Sequence, residues 1–147
     1  MSKTFLSGLI ILVPCLILSQ ISFTAHDITT SAGGASSVYA VDMDSDGDMD
    51  VLSASGDDDK IVWYKNDGNQ SFTEHIISSS VDYGRDVYAA DVDGDGDMDA
   101  LSASSQNDKI AWHENDGNES FTEHTISSSA NFARSVFSVD IDLDGDM

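Results

Sequence analysis

The sequence predicts an all-β fold, a partial β-propeller with two full blades and part of a third. An acidic segment that begins at Asp42 recurs at Asp91 and begins again at Asp140, at intervals of 49 residues. Internal periods of about 20–50 residues are typical of solenoids, propellers and other repeat arrays. Each complete copy contains four short segments with strand-like composition, and no segment shows a sustained helical period. Together these observations favour a four-stranded propeller blade in every 49 residues.

The strand signals follow one another in the same order in each complete copy, and the partial third copy contains the first two, from Ser120 and at residues 136–139. Ser-Phe-Thr-x-His is followed by a variable Ser/Gly stretch, a Val-Tyr segment, the acidic loop and an aliphatic Leu-Ser-Ala-Ser segment. A polar turn then leads to Lys-Ile-x-Trp and to Asn-Asp-Gly-Asn, which favours a hairpin because Asn and Gly tolerate positive φ. The copies align as repeat 1 over residues 22–70, repeat 2 over 71–119 and a partial repeat 3 over 120–147.

The acidic segment has the pattern D-x-D-x-D-G-x-x-D, which suits a loop that binds a hard cation. Two carboxylates about 4 Å apart repel by roughly 4 kcal/mol at an effective dielectric constant of 20, so such a loop needs a counter-ion. Ca²⁺ accepts about 6–8 oxygen ligands in a flexible geometry, whereas Mg²⁺ requires stricter octahedral coordination and Zn²⁺ prefers nitrogen and sulfur. Glycine at position 6 (Gly47, Gly96 and Gly145) permits the sharp turn. The pattern therefore predicts calcium loops.

Other interpretations fit the acidic segment less well. An EF-hand needs a bidentate Glu at loop position 12 and a helix on each side, but position 12 is Ser53 or Ser102 and the flanks have strand composition. The alternative is a solvated acidic loop without a metal, because runs of charge are often only solvated surface. Asp at every second position, with Gly in a constant place, favours the metal loop.

Acidic side chains dominate the composition of the chain. The 147 residues include 27 Asp and Glu against 6 Lys and Arg, which gives a formal net charge of −21. Nucleic acid and anionic membrane surfaces are therefore poor partners. The single cysteine, Cys15, excludes a disulfide framework within the mature chain.

Residues 1–19 are interpreted as a secretory signal peptide, and residues 20–147 as the repeat region. A basic residue precedes an apolar run from Phe5 to Leu18, which is too short to span a bilayer but suits the apolar core of a signal peptide. A lipoprotein anchor at Cys15 is the alternative, although Pro14 stands where a small residue is expected. Secretion would expose the loops to extracellular calcium, for which modules have dissociation constants of roughly 10⁻⁴–10⁻³ M. No membrane span is expected in the mature chain.

The repeated motifs resemble the FG-GAP/VCBS-type repeat across residues 22–147. The resemblance is carried by D-x-D-x-D-G-D-x-D with an aliphatic strand after it, and by K-I-x-W, N-D-G-N and S-F-T-x-H. Such repeats form the propeller of integrin α-subunits and occur in many secreted or surface proteins of bacteria. The resemblance implies a Ca²⁺ ion in each blade, bound by side chains at loop positions 1, 3, 5 and 9 and by the carbonyl at position 7.

By position, the resemblance implies three ligand sets in this sequence. They are Asp42, Asp44, Asp46, Asp50 and the Asp48 carbonyl in the first copy; Asp91, Asp93, Asp95, Asp99 and the Asp97 carbonyl in the second; and Asp140, Asp142, Asp144 and the Asp146 carbonyl in the third. The third set has no ninth position. The F-G and G-A-P signatures are replaced by Ser-Phe-Thr and Leu-Ser-Ala-Ser, so integrin-like ligand binding is not implied.

Aromatic residues at repeated positions are expected to pack between blades. These residues are Trp63, Trp112, Phe23, Phe72 and Phe121. A platform that stacks on sugar rings is the alternative interpretation. One further repeat position holds histidine, and we expect packing or turn residues there rather than a catalytic set: His26, His75 and His124.

The motifs favour a binding module over an enzyme. The sequence contains no Ser-His-Asp set, no paired carboxylates outside the loops and no nucleotide-binding glycine loop. We therefore expect a secreted or cell-surface calcium-binding repeat module for adhesion or for binding a protein or glycan. The alternative is a non-catalytic propeller fragment of a larger secreted carbohydrate-active enzyme. Closed propellers use about 4–8 blades, so the chain is expected to be part of a longer protein or to assemble with other copies into a ring.

Overall fold

The structure, a computed structural model, describes residues 21–142 and residue 147. Those residues contain eight β-strands and no helix. The strands are β1 (Ala35–Val41), β2 (Asp50–Ser55), β3 (Lys60–Asn66), β4 (Phe72–Ser78), β5 (Gly84–Ala90), β6 (Asp99–Ser104), β7 (Lys109–Asn115) and β8 (Phe121–Ser127). A search of the described residues finds no helix that could cross a membrane. The predicted signal peptide, residues 1–19, lies outside the described residues.

The strands form two four-stranded antiparallel sheets, each a simple meander. The first sheet has the order β1-β2-β3-β4 and the second has the order β5-β6-β7-β8. The register is the same in both sheets, since Leu52 lies opposite Trp63 and Leu101 lies opposite Trp112. As predicted, the Asn-Asp-Gly-Asn segments connect the third and fourth strands of each sheet. The sheets are two complete propeller blades, and the all-β fold class is confirmed.

Each sheet is offset by one strand from the sequence repeat. The Ser-Phe-Thr segment, which begins each repeat, forms the last strand of the preceding sheet because it pairs with the strand before the Asn-Asp-Gly turn. The prediction of a strand at its first copy, residues 22–28, is wrong, because no third strand of an earlier sheet lies beside it among the described residues. The predicted strand at residues 136–139 is also wrong. Its partner in the other sheets is the strand that follows the acidic loop.

The hydrophobic core lies between the two sheets. One face of the first sheet packs against the opposite face of the second, because side chains alternate between the faces of a strand. Burying each large apolar side chain of this kind contributes about 1.5–3 kcal/mol to stability. One member of the core, Met43, comes from the first acidic loop and is 1% exposed. The buried core consists of Met43, Leu52, Ala54, Ile61, Trp63, Ile77, Val81, Val87, Ala89 and Ala100.

Aromatic packing between the sheets is confirmed for two of the predicted residues and is wrong for one. Trp63 is fully buried, and its ring centroid lies 6.4 Å from that of Phe121 at an interplanar angle of 77°. This edge-to-face contact joins the third strand of the first sheet to the last strand of the second. Phe23, by contrast, is 90% exposed. It precedes the first sheet and belongs to no strand, so no neighbouring blade covers it.

The repeated histidines stack on the repeated tryptophans. The ring centroids of His75 and Trp63 are 4.8 Å apart, and those of His124 and Trp112 are 4.6 Å apart. Each histidine lies on the fourth strand, directly opposite the tryptophan of the third strand. These contacts agree with a packing role. The third histidine, His26, lies in the segment before β1, outside any strand.

The Asp86 carboxylate on β5 joins β1 and the segment after β8, through residues at the equivalent positions of the first and third copies. Ser37 Oγ donates to Asp86 Oδ1 at 2.7 Å, and Ser135 Oγ donates to Asp86 Oδ2 at 2.7 Å. The backbone N–H of Val136 also donates to Asp86 Oδ2, at 3.0 Å. Burial by itself raises the pKa of Asp86, but the hydrogen bonds outweigh it and the pKa lies below the usual value of 3.8. Asp86 therefore holds successive repeats together as an ionised acceptor.

Candidate metal centres

The two acidic loops connect the first strand of each sheet to the second, and each loop folds around its first aspartate. Asp42 Oδ1 accepts the Asp46 N–H at 3.1 Å, and Asp42 Oδ2 accepts the Gly47 N–H at 3.0 Å. In the second loop the Asp91 carboxylate accepts the N–H of Gly96 at 3.0 Å. The φ angles of the two glycines are +96° and +100°, a conformation that side chains with a Cβ rarely adopt. The turn predicted at loop position 6 is therefore present in both loops.

The ninth aspartate of each loop is buried at the start of the second strand. Asp50 and Asp99 are both 0% exposed. Asp50 accepts the backbone N–H of Asn66 at 2.7 Å and that of Met43 at 3.1 Å. Asp99 accepts the corresponding two N–H groups, at 2.8 and 3.0 Å. These bonds hold one carboxylate of each loop in a defined position.

Burial raises the pKa of both of these carboxyl groups. For Asp50 the backbone N–H groups and the Trp63 indole act in the opposite direction, and the nearby Asp44 carboxylate raises the pKa further. For Asp99 the causes are the same, with Asp93 as the neighbouring carboxylate. Burial and like charge both disfavour the ionised form of a carboxylate. A cation bound beside either residue would remove that penalty.

Three aspartates converge in each loop. Oxygen atoms of Asp42, Asp44 and Asp50 lie within 4.8 Å of one another, and so do those of Asp91, Asp93 and Asp99. In the first loop Asp44 Oδ1 is buried and has no hydrogen-bond partner among the described residues. An all-oxygen set with a buried, unpartnered carboxylate oxygen fits a hard divalent cation such as Ca²⁺.

The other predicted ligands of these two loops lie outside the clusters. Asp46 Oδ1 accepts the backbone N–H of Asp48 at 2.9 Å, and Asp95 Oδ1 accepts that of Asp97 at 2.9 Å. The Asp48 carboxylate lies against the hairpin turn, where a Cβ added to Gly68 would be 2.5 Å from Asp48 Oδ2. The side chain of Asp48 is thus in contact with the turn. The predicted roles of the Asp48 and Asp97 carbonyls as ligands stay predictions. The same is true of the side chains of Asp46 and Asp95.

The third loop is only partly described. Asp140 and Asp142 lie outside any strand and belong to no carboxylate cluster of the described residues. The remaining two predicted ligands, Asp144 and Asp146, lie outside the described residues, as does Gly145. A metal site in the third copy therefore stays a prediction.

An asparagine that was not among the predicted site residues supports each loop from the hairpin. Asn66 Nδ2 donates to the Met49 carbonyl at 3.0 Å, and Asn66 Oδ1 accepts the Gly68 N–H at 3.1 Å. Together with its N–H bond to Asp50, these contacts fasten the acidic loop to the Asn-Asp-Gly turn. Asn115 makes the same three bonds in the second sheet. The signal was present in the sequence, because Asn-Asp-Gly-Asn recurs at a constant distance from the acidic loop.

Comparison with known proteins places these loops in a described family. No curated protein matches the chain. The family described as the FG-GAP-like repeat matches it twice in tandem, over residues 42–102 and 93–147. Repeats of this family suggest a propeller-type module and are generally non-catalytic. Since the two matches together extend from residue 42 to residue 147, well over half of the sequence, the chain belongs to the FG-GAP-like repeat family.

Proposed function

We propose that this protein is a calcium-binding propeller module of a secreted or cell-surface protein, in which each acidic loop binds one Ca²⁺ ion. The proposal depends chiefly on the convergence of three carboxylates at equivalent places in both sheets, within 4.8 Å in each case. Carboxylates at this separation repel one another, and a bound divalent cation would offset that repulsion in both loops. In the first loop the Lys65 ammonium pairs with one oxygen of Asp44 and offsets part of it. The buried and unpartnered Asp44 Oδ1 supports the same proposal.

In this proposal the cation stiffens the module, and the module binds a protein or glycan. Each loop connects two strands, and the first loop also places Met43 in the core between the sheets. A cation held by residues of the loop and by Asp50 would therefore order both the loop and the interface. A stiff scaffold suits adhesion, because less conformational entropy is lost when a partner binds.

The test is a calcium titration by isothermal calorimetry on the full chain and on variants of each loop. We expect Asp44→Ala to remove binding by the first loop and Asp93→Ala to remove binding by the second. Asp82→Ala is the matched control, because Asp82 is an exposed acidic residue outside the loops. This control should bind as many ions as the wild type.

Two results would contradict the proposal. The first is the absence of calcium binding by the wild type at millimolar concentrations. The second is an equal loss of calcium binding in the loop variants and in the Asp82 control, which would mean that binding depends only on the total negative charge of the protein. Competition with Mg²⁺ adds a third readout, since the flexible all-oxygen site should favour Ca²⁺.

The localisation part of the proposal depends on the signal peptide interpretation of residues 1–19. Export of the full chain from a cell that processes signal peptides should release a protein whose first residue is Gln20. N-terminal sequencing of the exported protein checks this directly. Retention of the whole apolar segment, or lipid attached at Cys15, would contradict cleavage after Ser19.

We also propose that the outer faces of the two sheets pack against each other in neighbouring copies. Val38 on the first sheet is 68% exposed, whereas its equivalent Val87 is 2% exposed in the core; Ile126 is 59% exposed, whereas its equivalent Ile77 is 9% exposed. The two ends of the array thus repeat the two halves of the interface that the chain already contains. Sedimentation velocity should show assembly as concentration increases. A monomer at every concentration would contradict self-assembly.

A further inference from the structure

One lysine of the first sheet lies directly against the first acidic loop. The Lys65 ammonium contacts Asp44 Oδ2 and lies 2.8 Å from Glu119 Oε1, so it bridges the first loop and the hairpin turn of the second sheet. The side chains of Lys65 and Asp44 are 31% and 17% exposed. A lysine ammonium is charged at neutral pH, so both contacts are ion pairs.

The second sheet has the opposite charge at this position. The residue equivalent to Lys65 is Glu114, at the same register on the third strand. The Glu114 carboxylate bonds to His124, with 2.5 Å between Oε2 and Nε2. Among the described residues no basic side chain forms an ion pair with Asp91, Asp93 or Asp99. The two loops therefore have closely similar aspartate sets, but the equivalent positions on the third strands differ by two units of charge.

We propose that Lys65 makes the first loop the weaker of the two calcium sites, an inference that rests on the calcium function proposed above. An ion bound at the first loop must share Asp44 with the ammonium or displace it. The ammonium also repels the divalent ion at a separation of a few ångströms. One charge about 4 Å from a divalent ion changes its affinity roughly thirtyfold even at the dielectric constant of water. Salt reduces this, so a difference of roughly tenfold between the loops is expected.

A difference in affinity of this size determines the order in which the two loops bind calcium. As calcium increases, the second loop fills first, while Lys65 still pairs with Asp44 in the first loop. When the first loop fills, the Lys65 ammonium leaves Asp44 and keeps Glu119 as its partner. The contact between the two sheets through Lys65 and Glu119 is therefore compatible with both states of the first loop.

The test measures each loop separately in the full chain, with CaCl₂ as the only ligand. Asp93→Ala leaves the first loop, and Asp44→Ala leaves the second, so the two dissociation constants can be compared by calorimetry. Adding Lys65→Gln to the Asp93→Ala variant should tighten calcium binding at the first loop roughly tenfold. Adding Glu114→Lys to the Asp44→Ala variant should weaken the second loop by a similar factor.

Lys60→Gln, in the Asp93→Ala background, is the matched control. It removes the same charge from the same strand, but Lys60 is at the other end of β3, about 16 Å away along the strand. That distance is about twice the Debye length at physiological ionic strength, so binding should not change. Lys65→Glu provides a second variant, because the second sheet already accommodates Glu at this register. Circular dichroism confirms that each variant keeps its β structure.

The outcomes separate this inference from the function on which it rests. Equal affinities of the two loops, or no tightening with either Lys65→Gln or Lys65→Glu, overturn the role of Lys65 alone. An equal effect of Lys60→Gln also overturns it, because the change would then reflect net charge. The absence of calcium binding in every variant overturns the proposed function together with this inference.

Discussion

Acidification should destabilise the folded protein through one buried histidine, His113. The side chain is 1% exposed, its Nε2 lies 2.9 Å from Ser102 Oγ, and its Nδ1 has no hydrogen-bond partner in the described part of the chain. Burial lowers the pKa of His113 from 6.5 to about 4. The folded state therefore keeps the imidazole neutral at a pH where the unfolded chain takes up a proton. The stability contributed by His113 is present above pH 6.5 and is lost as the pH falls towards 4.

The size of this loss follows from the change in pKa. One pH unit of differential protonation corresponds to about 1.4 kcal/mol, so the loss reaches about 3 kcal/mol by pH 4. Urea unfolding, followed by circular dichroism between pH 7 and pH 4, should be compared for the wild type and His113→Gln. Glutamine does not titrate, and the titration of the carboxylates is common to both proteins. The difference in unfolding free energy should therefore shift by about 3 kcal/mol in favour of the variant as the pH falls.

A difference that is constant across this pH range would refute the reasoning. Altered packing in His113→Gln changes stability by the same amount at every pH and cannot imitate the shift. A shift centred well above pH 6.5 would also contradict it, because the proton taken up by the unfolded histidine defines the upper end of the range.

Three further predictions concern the turns, the hydrogen bonds that Asp86 accepts from neighbouring repeats, and the bound calcium. In urea titrations, Gly68→Ala should lower the free energy of unfolding by about 1–2 kcal/mol more than Gly94→Ala does. Both glycines have positive φ, but only a Cβ at Gly68 would contact another residue, Asp48. Asp86→Ala should cost about 1–3 kcal/mol in the same assay, because two serine hydroxyls and two backbone N–H groups lose their acceptor. The wild-type contribution of Asp86, whose pKa is lowered, should be lost below pH 3.8, and Asp86→Asn should cost less than the alanine variant. Removing calcium with a chelator from protein in about 10 mM CaCl₂ should lower the free energy of unfolding by about 1.5–3 kcal/mol for each occupied loop, and an unchanged melting temperature would contradict this.

The loops and the fold class were predictable because they depend on short-range patterns. The 49-residue interval and the alternating aspartates were sufficient to locate both acidic loops and the positive φ of Gly47 and Gly96, but not to show that only three aspartates of each loop converge. Strand-like composition and Asn-Asp-Gly turns were sufficient for the strands that have a partner. Within each acidic loop the aspartates and the glycine that set the turn lie within nine positions of one another.

The repeat alone did not predict which four consecutive strands form one sheet. A tandem repeat has the same period wherever its boundary is drawn, so the period does not reveal which four strands share a sheet. Hydrogen-bond partners decide that question. The segment at residues 72–78 forms a strand because β3 lies beside it, whereas its equivalent at residues 23–29 has no such neighbour among the described residues and forms none.

Contacts that differ between the copies could not be predicted from the pattern that the copies share. Alignment shows that Lys65 and Glu114 are equivalent, but not that the ammonium contacts the first loop while the carboxylate turns to His124. Those contacts depend on the neighbouring sheet, which supplies Glu119 beside Lys65. A position that varies within a repeat can therefore determine how similar sites differ.

Asp50 connects the first loop, the hairpin and the core, and its position explains why a bound cation would affect more than the loop. Its carboxylate accepts the N–H of Met43, a loop residue whose side chain is in the core, and the N–H of Asn66 at the start of the hairpin. Burial raises its pKa, so the charged form is disfavoured until a positive charge lies beside it. A cation at this point would stabilise the ionised carboxylate and, through the same two hydrogen bonds, the loop and the turn. Since Met43 packs between the sheets, the stabilisation would extend to the interface that joins one blade to the next.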